Sequence, residues 1–167
     1  MRYAVWLVFI LAGSVVQCML NNYLPAYLAP DVLLMLAAFV TFFYGYYAAL
    51  VVIIMIAYAS SVFSAGSVWS FIFSYVLVFY VLVFFKRLFD RSQEAAILVI
   101  ASLATLLYLL SIRLVASFAG GTAPLNVAML SSLERIPVNV ACAYLIFRYL
   151  PKILMKRTPR DGVIQGI

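Results

Sequence analysis

The sequence predicts an all-α membrane protein, a six-helix transmembrane bundle with both termini on the cytoplasmic side. Three observations carry that prediction. Apolar residues make up 68% of the chain and charged residues 10%, against roughly 45–50% and 25% in ordinary soluble domains. The apolar residues fall into runs long enough to cross a bilayer. The basic residues gather at one set of run ends, the pattern that orients membrane helices.

The elements follow in order along a chain whose 167 residues suit a single domain. Tyr3–Leu20 follows Arg2 and has the outline of a signal peptide, but no convincing small-x-small cleavage site follows it. The nearest, Tyr27-Leu28-Ala29, begins with a bulky residue and runs into Pro30. The run is therefore expected to stay as the first span. The next, Val32–Phe63, has 32 residues, about 48 Å as one helix and well beyond the roughly 30 Å hydrocarbon core. Its middle reads Phe42-Phe43-Tyr44-Gly45-Tyr46-Tyr47. A glycine permits a turn and tyrosines favour the membrane–water interface, so the run divides into spans 32–44 and 46–63. Spans 68–85, 95–118 and 136–150 complete the six, and a basic cytoplasmic tail occupies 151–167. Span two, at about 20 Å, is too short for a comfortable crossing; it requires cover from neighbouring helices or a thinned bilayer.

Charge tests this count independently. With six spans and the N-terminus inside, the cytoplasmic segments hold Arg2, Lys86, Arg87, Arg91, Arg148, Lys152, Lys156, Arg157 and Arg160, nine of the eleven basic residues. The outer loops hold none, and Arg113 and Arg135 lie near outer span ends. Five spans would put the basic loop and the basic tail on opposite sides, against the positive-inside rule. The tail can rest on anionic lipid.

Polar residues near span ends are the candidate functional positions. Pro30 is pre-set for a helix start, and Asp31 would then accept from the unpaired N–H groups of that start. Arg113 has three readings: an ion pair with Glu134 that locks spans five and six, snorkelling to the interface, or an anion site. Ser131-Ser132-Leu133-Glu134 fits a capping box, but Pro137 would then kink the helix, which allows a start near Ile136 instead. Gln17, Thr41 and Asn139 suit close helix packing rather than a binding site. The serines at 60, 61, 64, 67, 70 and 74 either line a polar crevice or form a tight hairpin.

Enzyme chemistry is the least favoured class. Histidine is absent, and Cys18 and Cys142 lie within apolar runs, so there is no nucleophile–base pair, disulfide framework or zinc spacing. Gly120-Gly121 lacks the lysine and spacing of a phosphate loop. No cofactor is implied, no internal repeat is visible, and the basic excess follows membrane orientation rather than a nucleic-acid surface.

Taken in succession, several features resemble the MreD family of rod shape-determining proteins. They are Val15-Val16-Gln17-Cys18 closing span one, Leu24-Pro25 in a short outer loop, and Pro30-Asp31 opening a leucine-rich span two. Tyr44-Gly45 before span three, the basic Lys86-Arg87 and Ile136-Pro137-Val138-Asn139 opening the last span complete the series. The chain departs from the family at Ala57-Tyr58-Ala59-Ser60-Ser61, where many members carry an acidic residue in a glycine-rich segment. The resemblance implies a multi-pass protein of the bacterial inner (cytoplasmic) membrane, a non-catalytic scaffold in the cell wall elongation machinery that maintains cell shape. Its implied partners are MreC, MreB and the peptidoglycan synthases. It further implies a fold similar to the substrate-binding subunits of energy-coupling-factor vitamin transporters, and hence an alternative role as such a subunit, with Arg113, Glu134 and Asp31 as its polar candidates.

Overall fold

The computed structural model describes residues 2–25, 28–64, 67–86, 94–118 and 134–157. Its elements are α1 (Arg2–Tyr23), α2 (Val32–Phe43), α3 (Tyr46–Ser64), α4 (Val68–Lys86), α5 (Glu94–Phe118) and α6 (Arg135–Arg157). No strand occurs among the described residues. Helices α1, α3, α4 and α5 are long and apolar enough to cross a membrane. Their outward faces carry exposed Leu7, Leu11, Val15, Ile54, Phe73 and Leu106. An apolar surface of that extent suits lipid rather than water as the surrounding solvent.

The other two helices depart from the simple span. Helix α6 continues through Pro151 to Arg157, past the predicted end at 150, and its C-terminal half carries Arg148, Lys152 and Lys156. Helix α2 has 12 residues, about 18 Å. Its residues Leu33 to Phe42 are all buried, as expected of a helix that is apolar on every side.

The placement of α2 explains that burial. It packs against every other helix, while the others contact one another in the order α1, α3, α4, α5, α6. The result is a ring around a central strut, and among the described residues α1 and α6 do not meet. The cover that so short and apolar a helix requires is therefore supplied by protein. Helix direction alternates throughout: Gln17 of α1 and Asn139 of α6 reach the start of α2, whereas Trp6 and Phe147 meet its end.

Aromatic packing fills that second end. Phe39 stacks on Phe43 at 4.5 Å, Phe147 meets Phe39 edge-on at 5.4 Å, and Trp6 meets Tyr44 at 5.2 Å. Elsewhere small residues let helices approach, with Ala49, Ala57, Ala101, Ala104 and Ala143 all buried. Gly13 gives a close α1–α2 approach: a β-carbon added there would lie 3.0 Å from Leu36 Cδ1 and 3.3 Å from Leu33 Cδ2.

The break between α2 and α3 has a different cause from the one the sequence suggested. Tyr44 is extended, with φ −115° and ψ 160°, and it is this residue that ends α2. Gly45 is not left-handed, and a β-carbon there would have nothing within 4 Å. Its carbonyl accepts the Ala49 N–H at 2.9 Å, so Gly45 serves as the residue that begins α3. Lys86, closing α4, then donates to the Thr41 and Tyr44 carbonyls, both at 3.1 Å. A cation at the negative end of α2 is favourable both as a hydrogen-bond donor and as a charge.

Two substitutions test this packing. Gly13→Leu overfills the α1–α2 contact and is expected to cost about 1–3 kcal/mol, read as a lower Tm of the purified protein in detergent. Gly45→Ser has room and supplies a better helix-start side chain, so it should leave Tm unchanged or higher.

Candidate functional site

The α1–α2 connection brings the chain to the start of α2 through Pro30 and Asp31. Asp31 has φ −84° and ψ 78°, close to an inverse γ-turn, and the Val32 N–H lies 3.1 Å from the Pro30 carbonyl. The first helical bond follows, from the Met35 N–H to the Asp31 carbonyl at 3.0 Å. A helix start leaves its first N–H groups without helical partners.

Side chains from two other helices supply partners instead. Gln17 Oε1 of α1 accepts the Val32 N–H at 2.6 Å, and Asn139 Oδ1 of α6 accepts the Asp31 N–H at 2.7 Å. Asn139 Nδ2 donates to Thr105 Oγ1 of α5 at 3.1 Å, and that hydroxyl donates to the Ala101 carbonyl at 2.8 Å. The relay fixes the amide orientation, because a flipped Asn139 would set a donor against the Asp31 N–H. Asn139 is buried, so both of its contacts lie where an unmet polar group is costly.

The expected role of the Asp31 carboxylate is thereby corrected. It makes no capping hydrogen bond to its own helix; amides from α1 and α6 take that function. The carboxylate lines a cavity of about 150 Å³ together with Gln17, Asn21, Ser60, Tyr75 and Tyr108. Ser60 and Tyr75 hydroxyls are 3.0 Å apart, and the Tyr75 ring meets Tyr108 edge-on at 5.1 Å. Asp31 lies in the connection preceding α2, and burial raises its carboxyl above the ordinary carboxylate range while the charge of Arg135 opposes that rise. Its field also reaches Tyr75, Tyr108 and Cys142.

Of the residues singled out in the sequence, Gln17, Pro30, Asp31 and Asn139 are brought together here. The others are not. Pro137 is exposed in the first turn of α6, where its missing N–H costs little. Arg113 is half-buried in α5 and Glu134 is exposed before α6. The proposed capping box rests on Ser131, which lies outside the described residues. Ser60 and Ser64 line the cavity as a polar crevice would, whereas Ser61 bonds back to the Tyr58 carbonyl at 2.7 Å. Thr105, Tyr75 and Tyr108 had no distinguishing signal. Hydroxyls in apolar helices ordinarily bond their own backbone, and tyrosines ordinarily mark the interface.

Asn139→Ala leaves the Asp31 N–H and Thr105 without their partner and is expected to cost about 1–3 kcal/mol, seen as a lower unfolding midpoint. A second test concerns pH. A carboxyl whose folded pKa lies above its ordinary 3.8 binds its proton more tightly in the folded state. Stability should therefore fall as pH rises from about 4 through the folded pKa, and Asp31→Asn should flatten that part of the Tm–pH profile. No family model, curated protein or solved structure matches this chain.

Proposed function

We propose that this chain is a non-catalytic component of the bacterial cell-wall elongation machinery, docking its partners within the cytoplasmic membrane. In this reading all six helices form the membrane domain, both termini face the cytoplasm, and the partners are MreC, MreB and the peptidoglycan synthases. One observation carries it. Three of the short motifs that resemble the MreD family lie in distant segments, and Gln17, Asp31 and Asn139 from those segments meet at one point. Coincidental resemblance in an apolar sequence would have no reason to select residues that share a hydrogen-bonded junction.

The alternation of helix direction supports the same topology. An even number of alternating helices returns the chain to its starting side, so Lys86, Arg148 and Lys152 lie toward one end and the Asp31 junction toward the other. That distribution agrees with the positive-inside rule. Helix α2 need not match the hydrocarbon thickness, because protein covers it on every side. An open ring of helices with apolar outer faces presents surfaces on which partner transmembrane helices can pack.

Vitamin uptake, the alternative role, is less well supported by the cavity. Its volume of about 150 Å³ falls below the roughly 300–1,000 Å³ of pockets that enclose drug-sized ligands. Neither Arg113 nor Glu134 lines it.

Affinity purification of the tagged chain from bacterial membranes separates the two readings. Recovery of MreC with a peptidoglycan synthase is the expected result. Recovery of an ATPase module with a bound vitamin, and neither wall protein, would sink the proposal.

A further inference from the structure

The cavity at the start of α2 has a chemistry that the docking role does not use. At about 150 Å³ it has room for about five water molecules at roughly 30 Å³ each, enough for a small ion and part of its hydration shell. Asp31 is the one charged residue in its lining, and Gln17, Asn21, Ser60, Tyr75 and Tyr108 add neutral oxygens. No lysine or arginine lines it. The Asp31 carboxylate makes no capping hydrogen bond to its own helix, although an ionised carboxylate offers about four acceptor positions.

Helix ends strengthen the negative field. Asn21 and Asn22 belong to the last turn of α1, and Ser60, Phe63 and Ser64 to the C-terminal end of α3. Both helices therefore bring their carbonyl-bearing, negative ends to the cavity. The start of α2 has the opposite sign, but its first two N–H groups are already engaged by Asn139 and Gln17. The Asp31 carboxyl and two negative helix ends face one partly engaged positive end, and Arg135 acts on Asp31 from outside the lining. Within the lining the balance favours a cation.

Charge count then selects its valence. Calcium and zinc sites in proteins draw on several anionic or nitrogen and sulfur ligands. Among the described residues no group of three His, Cys, Asp or Glu side chains could hold a metal. A single carboxylate amid hydroxyl and amide oxygens balances one positive charge. We infer that the cavity is a binding site for a partly hydrated monovalent metal cation, held by Asp31 with oxygens of the surrounding helices. The site stands independently of the wall-elongation reading.

Binding that favours the folded state raises stability with ligand concentration. The full chain, purified in detergent, is therefore unfolded thermally in sodium, potassium or choline chloride at constant ionic strength. Sodium or potassium should raise Tm in a saturable manner, and choline should not. Binding of radiolabelled sodium should approach one ion per chain, and Asp31→Asn should weaken it at least roughly tenfold. Tyr75→Phe, which keeps the ring packed on Tyr108, should weaken it less and serves if Asp31→Asn does not fold. Equal Tm in all three salts, stabilisation by inorganic phosphate instead, or an undiminished sodium response in both variants would overturn the inference.

Discussion

The structure depends on meeting the backbone polar groups at both ends of α2. A helix of 12 residues with ten consecutive residues buried has little access to water for its terminal polar groups while the rest of the bundle surrounds it. Its unpaired N–H and C=O groups must find partners within protein, and in an apolar surrounding each unmet group costs free energy comparable to a lost hydrogen bond. Gln17 and Asn139 serve the first end, and Lys86 the second. These contacts tie α1, α4 and α6 to the same short helix. The ring order of the other helices is thus coupled to the chemistry of α2's termini as well as to the shape of its side chains.

That coupling also specifies register. Apolar packing between helices in lipid has little hydrophobic driving force, since lipid tails are as apolar as leucine. Many relative positions of two apolar helices would be close in energy. A hydrogen bond from Asn139 to one particular N–H removes that degeneracy, and the onward donation to Thr105 extends the constraint to α5. Gly13 acts in the same direction by shape, because Leu36 and Leu33 fill the space that a side chain at that position would occupy.

Much of this was legible in the sequence, for physical reasons that differ by feature. Helix limits were readable because Pro30, Gly45, Lys86 and Glu94 interrupt apolar runs, and most described boundaries fall within a few residues of those expected. The need to cover α2 was readable from its length alone. Partnership was not. Asp31 and Asn139 are separated by 108 positions, and an apolar sequence with six similar segments carries no signal for which polar residue faces which. Nothing in the sequence pointed to Arg135 as a cation whose charge acts on Asp31. Tyr75 and Tyr108 looked like interface tyrosines, whereas both are buried beside the cavity. Gly45 looked like the cause of a break that Tyr44 makes.

The division of labour at the start of α2 is the feature that a purely structural account leaves unused. An aspartate preceding a helix commonly accepts that helix's own N–H groups, and this one would be well placed to do so. Neutral amides have taken part of that work, and they suit it in a buried setting because they satisfy donors without adding a charge to desolvate. If stability alone governed this position, an asparagine or serine at residue 31 would cap the helix and avoid the buried charge. The carboxylate instead lies free of helix capping, at a cavity bordered by oxygens and two negative helix ends. Amide capping from α1 and α6 and an uncommitted charge at Asp31 are therefore two halves of one arrangement: the first holds the fold, and in doing so leaves the second available to a ligand.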